Sequence, residues 1–132
     1  MTTTHIYKLV DESELPVGTL DDAGIIYRSN MATGRQQIGR IAQGVLYRIT
    51  AHDERELGRV DAQGHVHSHG LFEGGALGWT DPDGVVVRGG LIFGEEEVGR
   101  IEGPLLYEGG AALLLLFLPE DDEASHRQTQ RN

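Results

Sequence analysis

Three histidines at alternate positions, His65, His67 and His69, are the residues whose type and spacing come closest to metal chemistry. Imidazole is the commonest transition-metal ligand, and the two-residue period of a strand sends all three rings to one face. Alternate residues on a strand stand roughly 6–7 Å apart, so the three meet at one ion only if the strand bulges or a carboxylate such as Asp61 joins them. Structural zinc sites more often draw their ligands from separated segments. Metal binding is therefore held as an alternative, and no cofactor is expected.

Other chemistry finds little support. Cysteine is absent, which excludes a disulfide framework and thiol catalysis. No nucleophile motif surrounds a serine. Gly89-Gly90 and Gly109-Gly110 are not followed by helix signals, so no phosphate-cradling loop is expected. The acidic runs Glu95-Glu96-Glu97 and Glu120-Asp121-Asp122-Glu123 lack the alternating ligand spacing of a calcium loop and read as solvated charge. Asp21, Asp61 and Asp81 each precede a Gly-containing turn, where an Asp side chain accepts local backbone hydrogen bonds.

The elements behind these residues repeat. An apolar-Gly pair recurs as Val17-Gly18, Ile38-Gly39, Leu57-Gly58, Leu77-Gly78 and Val98-Gly99, with the glycines 21, 19, 20 and 21 residues apart by subtraction. Each pair leads into a short strand, a turn and a second strand. The clearest copy is Leu77 to Val87, where Asp81-Pro82-Asp83-Gly84 is a turn signal between apolar strands. Loop length fixes hairpin register. It pairs Leu20 with Ile26, Ile41 with Leu46, Val60 with Val66, Thr80 with Val86, and Ile101 with Leu106 on the core face. The opposite face pairs Thr19 with Tyr27, Arg40 with Tyr47, Arg59 with His67, Trp79 with Val87, and Arg100 with Tyr107. Such Arg–ring pairs stack on the outer sheet surface or gather into a ring that binds an anion or small molecule through Arg40, Tyr47, Arg59, Trp79, Arg100 and Tyr107.

The chain's 132 residues fit one domain, taken as 1–118, with 119–132 a disordered acidic and polar tail. A formal net charge of −10 argues against a nucleic-acid partner. Ala111 to Leu118 is the longest apolar run, too short for a membrane helix. Being unalternating, it is expected to be a buried strand or short helix that closes the ring or plugs the core. No leader segment is visible at the start, so a cytoplasmic location is expected. His5-Ile6-Tyr7-Lys8-Leu9 resembles the second strand of a repeat, as though the N-terminus completes the last unit. Helix signals are otherwise absent, and Asp53 to Glu56 reads as loop.

Leu77 to Val86, with linking stretches such as His69 to Gly78, resembles the small bacterial four-fold β-flower proteins over Ile6 to Tyr107. The resemblance implies a ring of β-hairpins with internal pseudo-symmetry and brings no activity with it. The five apolar-Gly copies depart from a four-fold count. The expected fold is all-β, with antiparallel hairpin repeats closed into a small barrel or flower. The expected function is a non-enzymatic binding or scaffold module acting on a protein partner or on itself as a homo-oligomer.

Overall fold

The computed structural model describes residues 3–30, 34–68, 77–90 and 94–119. Among the described residues, ten antiparallel strands run as one meander: β1 (Thr4–Val10), β2 (Ser13–Leu20), β3 (Ile25–Asn30), β4 (Gly34–Ala42), β5 (Val45–Ile49), β6 (Glu54–Val60), β7 (His65–Ser68), β8 (Gly78–Thr80), β9 (Val85–Gly90) and β10 (Gly94–Glu102). β10 pairs back onto β1, so the sheet is a closed barrel without edges. The acidic stretch from Glu54, expected as loop, belongs to β6, because its backbone ladders with Val45–Ile49 of β5.

Four of the five expected hairpin registers hold: Leu20 faces Ile26, Ile41 faces Leu46, Val60 faces Val66 and Thr80 faces Val86. The turns follow from their side chains. Asp21, Asp61 and Asp81 each accept two backbone N–H groups through Oδ1, at 2.9–3.0 Å. The two-residue loop needs positive φ at both positions, and Gln43 and Gly44 supply 52° and 78°.

The fifth register differs. Ile101 pairs with Ile6 and Arg100 with Tyr7, both on β1. Leu106 and Tyr107 instead open an α-helix, α1 (Leu106–Ala112), which continues as a π-helical segment over Leu113–Phe117. The N-terminal strand takes the place the fifth hairpin would need. Gly103-Pro104 then turns the chain into the barrel, where the Leu105 N–H donates to Thr4 Oγ1 at 3.1 Å. Gly109-Gly110, expected not to be followed by helix, lies inside α1, and the helix runs on past it.

Two complementary layers hold this helix. In the first, the wall carries the large inward residues Ile6, Leu20, Ile26, Ile41, Leu46, Val66, Val86 and Ile101, all buried, with Thr80 and half-buried Val60. The helix passes this layer with its smallest residues, Gly109-Gly110-Ala111-Ala112. A Cβ on Gly109 would stand 2.7 Å from Ile101 Cγ2, and one on Gly110 would strike Thr80. In the second layer the sizes reverse. Gly99 faces Leu113, Gly78 faces Leu114, Gly58 faces Leu115, Gly39 faces Leu116 and Gly18 faces Phe117. Cβ atoms at Gly39, Gly58 and Gly78 would come within 2.9, 2.9 and 3.1 Å of those leucines, with a neighbouring-strand carbonyl on the other side. Only hydrogen fits there.

The preceding apolar residue has its own role. At Val17, Ile38, Leu57 and Val98 the register slips by one, leaving that residue as a bulge. A bulge breaks alternation, so two successive residues serve the core side and the strand bends, which favours closure. All four, with Leu77, belong to the core or pack against it.

The π segment has a geometric cause. Five consecutive side chains meet glycines on β10, β8, β6, β4 and β2 in turn, so each step must turn about a fifth of a circle. An α-helix turns about 100° per residue, which is too far. Hydrogen bonding to i+5, seen from the Leu118 N–H to the Leu113 carbonyl, widens the helix and reduces the turn. Because walls surround it, the segment has no polar face, and Leu113–Leu118 are all buried. Ala111–Leu118 thus plugs the core, and β1 closes the ring.

Candidate functional site

The barrel has two unlike ends. Tight turns and the entering helix close one. At the other, β3–β4, β5–β6, β9–β10 and β1–β2 extend as two-stranded ribbons beyond the glycine layer. Residues Gly34–Gln37 and Gly94–Glu97 are exposed on both faces there. The helix ends at this open side, with Leu118 buried and Pro119 exposed.

Lys8, Arg28, Arg48, Ser68 and Arg88 occupy one level of this mouth. They pair in register with Gly99, Gly18, Gly39, Gly58 and Gly78, the five glycines that face the π segment. Each lies two residues after a fully buried core residue of its strand (Ile6, Ile26, Leu46, Val66 or Val86), so the strand period places it on the inward face. The Arg28 guanidinium sits 5.1 Å from the centre of the Phe117 ring, and Arg88 and Ser68 border Leu114, Leu115 and Leu118 across a cleft of about 430 Å³. Arg28 and Arg48 line a second cleft, of about 280 Å³, with Gln36 and Gln37. Arg88 also contacts Glu96 at 3.4 Å.

The helix carries no basic residue in its last turn. Its terminal carbonyls gather partial negative charge, and cations near a helix C-terminus are stabilising. Here the wall brings four cations to that end. This ring was not among the sequence candidates, although its members recur at intervals of 20: positions 8, 28, 48, 68 and 88. The signal was legible as an inward apolar residue followed two places later by a cation. The eye goes instead to the intervening Tyr or His, which faces outward.

The expected Arg–ring residues lie on the outer wall. Arg40 of β4 stacks over Tyr47 of β5 at 4.3 Å and reaches Glu54 of β6 with Nε at 2.8 Å. Arg100 of β10 stacks over Tyr7 of β1 at 4.9 Å and makes a two-point contact with Glu14 of β2 at 2.7 and 2.9 Å. Each Arg–Tyr–Glu set therefore clasps three successive strands. The guanidinium of Arg100 holds the Glu14 carboxyl below its usual range, and Glu14 in turn raises Arg100. Arg59 is exposed opposite His67, and Trp79 faces Val87 with its ring 6.3 Å from His65. These side chains are spread over a convex surface. Tyr107 is not among them: it lies in α1, packed against Gly64.

His65 and His67 flank Asp61, with nitrogens 3.6 and 3.4 Å from its carboxylate, and His69 lies outside the described residues. Partial burial pushes the Asp61 carboxyl up, but the His65 N–H, the His67 ring and the Gln63 N–H outweigh it and leave it lowered. Among the described residues no group of three His, Cys, Asp or Glu is arranged to hold a metal ion. No helix among them is long and apolar enough to cross a membrane.

The chain matches no family model, no curated protein and no solved structure.

Proposed function

We propose that this protein is a non-enzymatic binding module whose recognition surface is the ribbon end of the barrel, and that it takes an acidic polypeptide segment. The carrying observation is the placement of Lys8, Arg28, Arg48 and Arg88 at equivalent register positions around one mouth. The helix fills the interior with apolar side chains, so recognition falls to the ends. At the ribbon end, cationic donors and amide side chains line shallow clefts, a setting suited to carboxylates. The chain as a whole carries −10, so a polyanion is repelled on average and binds only where positive charge is concentrated.

The test is fluorescence anisotropy with a fluorescein-labelled octaglutamate peptide at low ionic strength. The full chain should bind, added salt should weaken binding, and Arg28→Gln/Arg88→Gln should weaken it about tenfold, the loss of two charge-assisted contacts. Arg59→Gln, on the outer wall, should leave it unchanged. Equal binding by all three proteins, or none by any, would refute the reading.

A further inference from the structure

We infer that the ring position held by Ser68 is a specificity pocket, which takes a leucine-sized apolar side chain of the bound acidic segment. The inference rests on the acid-binding reading above and adds which acidic segments the mouth selects.

Five equivalent positions can be compared. Each inward residue at this level pairs with a glycine, and each glycine faces one side chain of the π segment. Lys8 is thereby matched with Leu113, Arg88 with Leu114, Ser68 with Leu115, Arg48 with Leu116 and Arg28 with Phe117. Where the match is a long cation, the plug side chain is covered. The Arg28 guanidinium lies over the Phe117 ring, and Phe117, Leu113, Leu116 and Leu114 are 0, 0, 1 and 2% exposed. Beside Ser68, Leu115 is 6% exposed, and Leu118, in the same cleft, is 5%. A hydroxymethyl group is too short to lie over the helix as a guanidinium does. The larger cleft, of about 430 Å³, opens at this gap, and Leu57 and Leu77 of the wall line it together with Leu114, Leu115 and Leu118. The smaller cleft, with Arg28 and Arg48, is lined by no described residue of the plug.

The chemistry of the occupant follows from that lining. A carboxylate set against these leucines loses water without gaining a partner, so a purely acidic segment leaves the cleft unfilled. An aliphatic side chain suits it. Arg55 and Arg88 also line the cleft and outnumber its one acid, Glu56, so acids flanking that side chain meet positive charge. The volume lies within the roughly 300–1,000 Å³ usual for ligand pockets.

The test compares octaglutamate with the same peptide carrying a central leucine, both fluorescein-labelled, by anisotropy on the full chain. The leucine peptide should bind about tenfold more tightly, a part of the transfer free energy of one leucine. Ser68→Arg should bring that ratio to about one, and should bind octaglutamate more tightly than the parent because it completes the ring. Leucine-methyl NMR of the parent chain gives a readout that needs no variant. The Leu115 and Leu118 methyls should shift with the leucine peptide and not with octaglutamate, while those of Leu113 stay in place with both. Equal binding of the two peptides by the parent, or a tenfold ratio that survives in Ser68→Arg, would overturn the inference and leave the binding module standing. Leucine-dependent shifts with binding that added salt does not weaken would keep the apolar pocket and overturn the acidic reading. No binding of either peptide would overturn both.

Discussion

Asp61 shows how much one side chain can be asked to do. Its Oδ1 accepts the N–H groups that build the β6–β7 turn, and its two oxygens also face His65 and His67. A carboxyl whose pKa is lowered on folding stabilises the fold above its unfolded value, about 3.9, and that contribution disappears as pH falls through the folded value. Asp61→Asn, which can keep the turn but not the charge, should therefore lower the melting temperature by an amount that is constant from about pH 7 to 5 and shrinks toward zero below about pH 4. A gap independent of pH would show that the charge contributes nothing. Thr80 makes the opposite case. Its four counterparts on the first strands of the other turns are Leu20, Ile41, Val60 and Ile101, whereas its own Oγ1 is buried with no hydrogen-bond partner among the described residues. Thr80→Val should stabilise the protein by about 1–2 kcal/mol in chemical denaturation, the desolvation of one orphaned hydroxyl. A loss of stability would mean that the hydroxyl has a partner.

At the scale of elements, the glycine layer and the π segment depend on each other. Leu116→Ala should cost about 2–5 kcal/mol, the usual range for truncating a buried leucine. Gly39→Ala should cost about 1–3 kcal/mol as overpacking, because its Cβ meets both the Leu116 side chain and the Tyr47 carbonyl. The double variant should cost clearly less than the sum, since removing the leucine relieves one of the two clashes. Simple additivity in denaturant titrations would separate the two residues. The apolar-Gly pairs were readable as strand openings. Their work as bulge plus helix seat was not, because it requires knowing that a helix runs down the barrel axis.

For the molecule as a whole, ten strands enclose a space that wall side chains alone do not fill, since barrel width grows with strand number. The helix fills it, and each of Leu113 to Phe117 contributes about 1.5–3 kcal/mol by burial. A chain ending at Gly110 should therefore lose cooperative unfolding and near-UV circular dichroism. A folded monomer of that length would show the plug to be dispensable. Closure has its own fastening at the seam, where Arg100 of β10 crosses β1 to Glu14 of β2.

The sequence by itself determined most of the strands, four turns and four of five hairpin registers, because loop chemistry and two-residue alternation are local. Leu20 opposite Ile26 follows from the Asp21–Gly24 loop and needs no other part of the chain. It also carried the hint that His5–Leu9 completes the last unit. What tertiary structure decided was the competition between β1 and Leu105–Tyr107 for the edge of β10. Both carry apolar residues with the aromatic spacing of a repeat's second strand, and no local rule chooses between them. Once β1 closes the ring, the C-terminal run has no open edge to join, and the empty axis is the place where eight consecutive apolar residues can all be buried. The basic ring is decided the same way: Lys8, Arg28, Arg48 and Arg88 are 20, 20 and 40 residues apart along the chain and share one mouth only because the barrel closes.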